Sequence, residues 1–318
     1  MLNRKLLLVL SVVSLPLFSV EKITIFSNGT PNQRGGPSAV LRSLFVGLDS
    51  LGVSYMHNPN REIDISDTVV VISNASRLQK AIQLKKDGKI KTLLAGPNLM
   101  VRSNELNHIA ASPEIDCYLV NSIWTKVAYI EDEPSLASRI AIWPSGVDIN
   151  FWVPEKNARE RLAEKHVLVY VKGAPQELVR SVEQCLGRYG WAITRITYGS
   201  FDHASYKNAL AKSTFAVFLG GPESQGLAFV EAWSMDVPTL VYDMRKAFIS
   251  GKKYSTVSYC PYLSAATGID WRELDEFEGL VKAMPNCLDI FSPRQWVLEN
   301  MSDEVCSKHL LEIIDSVR

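Results

Sequence analysis

The chain reads as an α/β protein built from two doubly wound domains that face each other across a cleft. Three observations predict this. From residue 21 onward, short apolar runs of strand type alternate with amphipathic runs of helical period, the pattern of parallel sheets covered by helices on both faces. The alternation breaks once, at a charged, proline-containing stretch over residues 151–165, and then resumes. At 318 residues, 47% hydrophobic and 21% charged, the chain can fill two cores and is too apolar to be disordered.

Residues 1–5 form a short basic head, and residues 6–18 are uncharged and mostly apolar, interrupted by Pro16. The run falls short of the ~20 residues of a spanning helix. Residues 1–20 are therefore expected to be a secretory signal peptide or apolar leader, and export or membrane attachment is favoured over a cytoplasmic location.

The first domain is expected over residues 21–150. Residues 22–26 read as a strand, 27–33 as a polar loop, and Gly35-Gly36-Pro37 opens a helix reaching 51. Glycines beyond the carboxyl end of a strand let a ligand approach the backbone closely, so Gly36 is a candidate cleft residue. Strands follow at 68–73, 91–95, 116–120 and 139–143, with helices at 75–86 and from Ser122 to about 130. The last strand ends in Pro144-Ser145-Gly146-Val147-Asp148.

After the linker, residues 166–290 form the expected second domain. Strands are expected at 167–171, 191–198 and 214–219 and helices at 176–189 and 205–212, with Lys172-Gly173 at the carboxyl end of the first strand. The richest stretch is 219–242: a strand end, the loop Gly220-Gly221-Pro222, a helix expected over 224–235, and a strand at 238–242. Glu223 stands at the mouth of that helix and Glu231 inside it; eight helical residues would separate them by about 12 Å. The N–H groups of Gln225, Gly226 and Leu227 lie between them, where the helix dipole favours an anion. That length and order suit a nucleotide-diphosphate sugar, with carboxylates for sugar and ribose and amides for the phosphates. Beyond 242 the pattern is less regular, with helices expected at 271–284, 293–300 and 303–317, the last capped by Ser302.

The segment Glu223-Ser-Gln-Gly-Leu-Ala-Phe-Val-Glu231 resembles the E-x7-E motif of GT-B glycosyltransferases, whose two Rossmann-like domains flank a cleft. The likeness is greatest to the retaining enzymes of group 1, or family 4. The Gly35-Gly36 loop, Asn121-Ser122 and residues 144–148 resemble other parts of that family. The resemblance implies transfer of a sugar from a nucleotide-diphosphate donor to a glycan, glycolipid or small acceptor, with retention and with neither metal nor further cofactor. It implies that Glu223 is catalytic, facing the transferred sugar, and that Glu231 holds the ribose. Lys172 and the amides of Gln225, Gly226 and Leu227 would hold the diphosphate, Gly36 would face the cleft, and helices in 291–318 would cross back to the first domain. The sequence departs from the family at Val53, where histidine is usual, and at Asp236, where glycine is usual. Of the usual phosphate-binding Arg and Lys, only Lys172 is in place; Arg245 or Lys246 could stand in for the arginine.

Composition narrows the remaining classes. Lys plus Arg and Asp plus Glu are both 34, with no basic block, so a nucleic-acid partner is not expected. The five cysteines are scattered and none forms C-x-x-C, which points to neither zinc nor a disulfide framework. Glu131-Asp132-Glu133 and Asp64…Asp67 lack the context of a metal-binding D-x-D. His108 is expected in a loop facing the cleft. Two other functions fit part of the pattern: an exported two-lobed solute-binding protein, and a GT-B pseudoenzyme that has lost turnover with the missing arginine.

Overall fold

A computed structural model describes residues 22–31, 35–244, 248–249 and 251–318. The leader expected over 1–20 lies outside these residues, as do Arg245 and Lys246.

The first half contains β1 (Lys22–Ser27), α1 (Gly36–Ser50), β2 (Ser54–His57), β3 (Thr68–Ile72), α2 (Ala75–Lys86), β4 (Thr92–Ala95), the single turn α3 (Glu105–His108), β5 (Cys117–Val120), α4 (Ile123–Asp132) and β6 (Ile140–Ile142). Its six strands form one parallel sheet in the order β2-β1-β3-β4-β5-β6. Successive strand residues point to opposite faces. Ile23, Ile25, Val70 and Leu94 pack on one side with α1. Phe26, Val69, Val71 and Leu93 pack on the other with α2. Both faces being covered, the strands read as unbroken apolar runs, and this is why they are legible in the sequence.

A connecting segment carries the short turn α5 (Ala158–Arg161), and the second half follows. It comprises β7 (His166–Lys172), α6 (Gln176–Arg188), β8 (Ala192–Thr197), α7 (His203–Lys212), β9 (Phe215–Gly220), α8 (Leu227–Ser234), β10 (Thr239–Tyr242), a hairpin of β11 (Phe248–Ile249) and β12 (Lys252–Lys253), β13 (Gly268–Trp271) and α9 (Leu274–Cys287). Five strands form a second parallel sheet, β8-β7-β9-β10-β13. In both sheets the winding reverses between the first and third strands, β1/β3 and β7/β9. Such a reversal opens a crevice beyond the carboxyl ends of the strands, where open α/β sheets bind ligands.

Two edge strands depart from the expectation. Trp271, expected to begin a helix, ends β13, and β2 was not anticipated. Both are four-residue edge strands and lack a long apolar run. Gly268 is required where β13 meets β10: a Cβ there would stand 2.2 Å from the Thr239 carbonyl oxygen.

Helix α10 (Pro293–Asn300) packs against α8, and α11 (Asp303–Val317) lies along α1. Leu310, Leu311, Ile313 and Ile314 complete the apolar core on that side of the first sheet. Trp143 Nε1 donates to the Cys306 carbonyl at 2.9 Å. Glycine permits the close crossing, since a Cβ on Gly146 would lie 2.6 Å from Asp303 Cα.

Candidate active site

The site grows from the carboxyl ends of β7 and β9. Lys172 is the last residue of β7 and Gly220 the last of β9, and the loop after Gly220 carries Glu223. Lys172 Nζ lies 2.6 Å from Glu223 Oε1, an ion pair left partly open to the cleft. The same ammonium stands 4.5 Å from the centre of the Tyr198 ring, a cation–π contact. The Glu223 backbone is held from two sides: its N–H donates to Ser258 O at 3.1 Å, and its carbonyl accepts from Trp124 Nε1 at 2.7 Å.

The helix begins later than the sequence suggested. Residues 224–226 are not helical; Gly226, at φ 72°, is the N-cap, and α8 starts at Leu227. The cause lies partly in Gln225, whose side chain is drawn under the first half. Its Oε1 accepts from Asn121 Nδ2 and its Nε2 donates to Ser145 O, each at 2.8 Å. The left-handed turn at Gly226 then redirects the chain into the helix. Glu223 is therefore not helical, and the spacing of about 12 Å inferred from a continuous helix does not apply. Among the described residues, Leu227 and Ala228 offer helix-terminal N–H groups without acceptors, so of the three amides expected at the helix start only that of Leu227 belongs to the helix.

Glu231, in the second turn of α8, sits at the floor of a cavity of about 520 Å³. Part of its surface opens to the cavity and the rest lies deep in protein. Burial pushes its pKa up to about 8, opposed by the positive charge of Arg42. Gly35, Gly36 and Asn98 form the facing wall, while Lys172, Glu223, Gln225, Gly226 and Leu227 also line the space. A second cavity of about 840 Å³ shares Asn98, Asn121, Lys172, Glu223 and Ser224 with the first. The Lys172–Glu223 pair thus stands where the two cavities meet.

Asp132 closes the outer side. Its carboxylate, with 1% of its side chain exposed, binds Arg102 at 3.3 Å, Lys252, and the Tyr254 hydroxyl at 2.9 Å. Burial alone would raise its pKa, but hydrogen bonds from Lys252, Arg102 and Tyr254 hold it below the usual carboxylate value. Ser255 binds Glu131, and Tyr262 Oη donates to the Asn121 carbonyl. Glu131 and Asp132 therefore tie the loop after β12 to α4.

His108 lines neither cavity. It ends α3 and places Nδ1 2.7 Å from Glu133 Oε2. Tyr198, Tyr170, Arg42 and Trp124 were not singled out from the sequence, although Tyr198 and Trp124 follow the carboxyl ends of β8 and β5. That position was their available signal.

The sequence matches no family model and no curated protein. Solved structures do resemble the fold. HepE of Anabaena, in complex with UDP and glucose, aligns with a TM-score of 0.57 at 14% identity, over 93% of this chain and 100% of that one. The catalytic domain of starch synthase IV of Arabidopsis thaliana, bound to ADP and acarbose, gives a TM-score of 0.62 at 10% identity, over 94% and 99%. The lipopolysaccharide outer core galactosyltransferase WaaB gives 0.56 at 15%, over 93% and 99%. These are GT-B glycosyltransferases, and the two Rossmann-like parallel-sheet domains of this chain have their fold.

Proposed function

We propose that the chain is a metal-independent, retaining glycosyltransferase that takes its sugar from a nucleotide-diphosphate donor. The observation that carries this reading is the Lys172–Glu223 pair, set at the winding reversal of the second sheet and at the junction of two cavities. The cavity holding Glu231 would take the nucleotide and the other the acceptor, so the transferred sugar lies at the pair. The UDP and ADP bound by structures of the same fold support the donor class.

In this reaction the bond from the anomeric carbon to the diphosphate oxygen breaks, and a bond to the acceptor hydroxyl oxygen forms on the same face. The departing phosphate takes the hydroxyl proton. Glu223 faces the positive charge that develops on the sugar, and Lys172 with the amides of Leu227 and Ala228 faces the negative charge of the leaving diphosphate. Glu231 accepts from the ribose hydroxyls. The leader over 1–20 would carry the protein to or across a membrane, a proposal that cell fractionation and N-terminal sequencing of the mature protein test.

The decisive experiment incubates UDP-, GDP- and ADP-sugars with an acceptor library in the presence of a chelator and follows release of the diphosphate. Transfer with the donor's anomeric configuration is the expected result. A thermal response to free sugars and to no nucleotide would replace this reading with a solute-binding protein. A second reading has its own support: the one described phosphate-binding cation, Lys172, is already paired with a carboxylate, as in a protein that binds donor without turnover. Nucleotide binding with neither transfer nor hydrolysis would establish it.

A further inference from the structure

We infer that the 840 Å³ cavity takes an acceptor whose reacting hydroxyl end carries an uncharged, apolar tail; this rests on the glycosyltransferase reading. The cavity has two unlike ends. Its inner end, shared with the donor cavity, is polar, with Asn98, Asn121, Glu223 and Ser224 suited to hydroxyl groups. The remaining wall is largely apolar, formed by Leu99, Met100, Trp124, Tyr129, Phe248 and Ile249. Val101 and Phe248 are 61% and 63% exposed at this cavity, an arrangement that leaves apolar surface in water unless something covers it.

Charge selects the tail further. Lys172 is the one cation among the described lining residues, and Glu223 already neutralises it. Arg102 and Lys252 lie close by, but both are bound to Asp132. Glu105 adds a carboxylate to the wall. Among the described lining residues, a phosphate or carboxylate along the acceptor would meet Glu105 and no unpaired cation. An alkyl, acyl or aryl aglycone meets side chains that bury it. The volume lies within the range of small-molecule sites, roughly 300–1,000 Å³.

The test measures binding of methyl, butyl, hexyl and octyl glucosides by calorimetry on the full chain, below micelle-forming concentrations. Affinity should rise by roughly two- to fourfold for each methylene seated in the cavity, the order expected for burying apolar surface. Phenyl and glucose-6-phosphate derivatives should bind better and worse, respectively, than the methyl glucoside. Val101→Glu and Phe248→Glu, at exposed positions, should each lower octyl glucoside affinity at least tenfold and leave UDP, GDP and ADP affinity within twofold. Flotation with phosphatidylcholine vesicles bearing a glucosyl diacylglycerol distinguishes a membrane-borne acceptor from a soluble one, since co-flotation is expected for the first alone. A flat chain-length series, or rim variants that bind octyl glucoside unchanged, would overturn the inference. Nucleotide binding in the same samples reports separately on the donor: a tail preference without any nucleotide response sinks the transferase reading and leaves the apolar cavity standing.

Discussion

Glu223→Gln should move binding and turnover in opposite directions. The substitution keeps the shape of the side chain and removes the charge that sits 2.6 Å from Lys172 Nζ. The two side chains are 33% and 20% exposed, so the pair is screened by solvent and worth about 1 kcal/mol. Breaking it releases the ammonium for a diphosphate, and a nucleoside diphosphate without sugar should bind up to about fivefold more tightly, 1.4 kcal/mol being tenfold. The same loss removes a negative charge aimed at the developing positive centre. Removing one such preorganised group costs about 3 kcal/mol, or roughly a hundredfold in kcat. Lys172→Met should instead weaken the diphosphate by roughly tenfold or more, since a charged hydrogen bond contributes about 1.5–3 kcal/mol. Calorimetry with the diphosphate and steady-state kinetics with the donor read the two quantities in the same variants. If Glu223→Gln weakens the diphosphate and leaves kcat intact, the carboxylate serves the ground state and its catalytic role is refuted.

Glu231 supplies a pH prediction. Its folded pKa of about 8 lies above its ordinary value of 4.5, so its contribution to stability is full below 4.5 and is lost as pH rises through 8. The melting temperature should therefore fall between pH 5 and 8 by more in the native chain than in Glu231→Gln. Equal slopes would mean that Glu231 is not buried as described. Glu231→Ala should raise the donor KM roughly tenfold or more and change kcat much less. Gly146→Val, which drives a side chain into the backbone of Asp303, should destabilise the fold by roughly 3 kcal/mol in a denaturant titration. Asp236 sits at φ 57° as the left-handed residue closing α8, with Val237 N–H bonded to Ala232 O and its own N–H to Trp233 O. Asp236→Gly should keep or raise the melting temperature, whereas Asp236→Val should lower stability by about 1–2 kcal/mol.

The legible parts of the fold were those whose burial is recorded in local pattern. β3, β7 and β9 are covered on both faces and spell uninterrupted apolar runs, so their ends point to Lys172 and Glu223 without further information. The edge strands β2 and β13 are four residues long and carry no such run. The start of α8 was misread for a different reason. Ser224-Gln225-Gly226 has acceptable helical neighbours, and contacts to Asn121 and Ser145, far away in sequence, help hold Gln225 outside the helix. Asp236 shows the converse: a departure from the family's glycine, it occupies a left-handed turn that aspartate tolerates better than most residues. The pairing of Lys172 with Glu223 was not legible either, because two residues given separate tasks by position along the chain meet only through the packing of β7 beside β9.

Helix α11 sets the order in which the chain can become compact during synthesis. The first sheet emerges from the ribosome early, yet one of its faces waits for Leu310, Leu311, Ile313 and Ile314. Until those residues appear, that face presents apolar surface to water, while the face of the second sheet packed with α6 and α9 can already close around its own core. The half made first is thus the half finished last, against the usual sequence in which an N-terminal domain folds ahead of its successor. A nascent chain halted before residue 303 should present a chaperone-binding surface on that face of the first half. Helix α11 is in this sense a timing device, holding the first sheet incomplete until the opposite wall of the cleft exists.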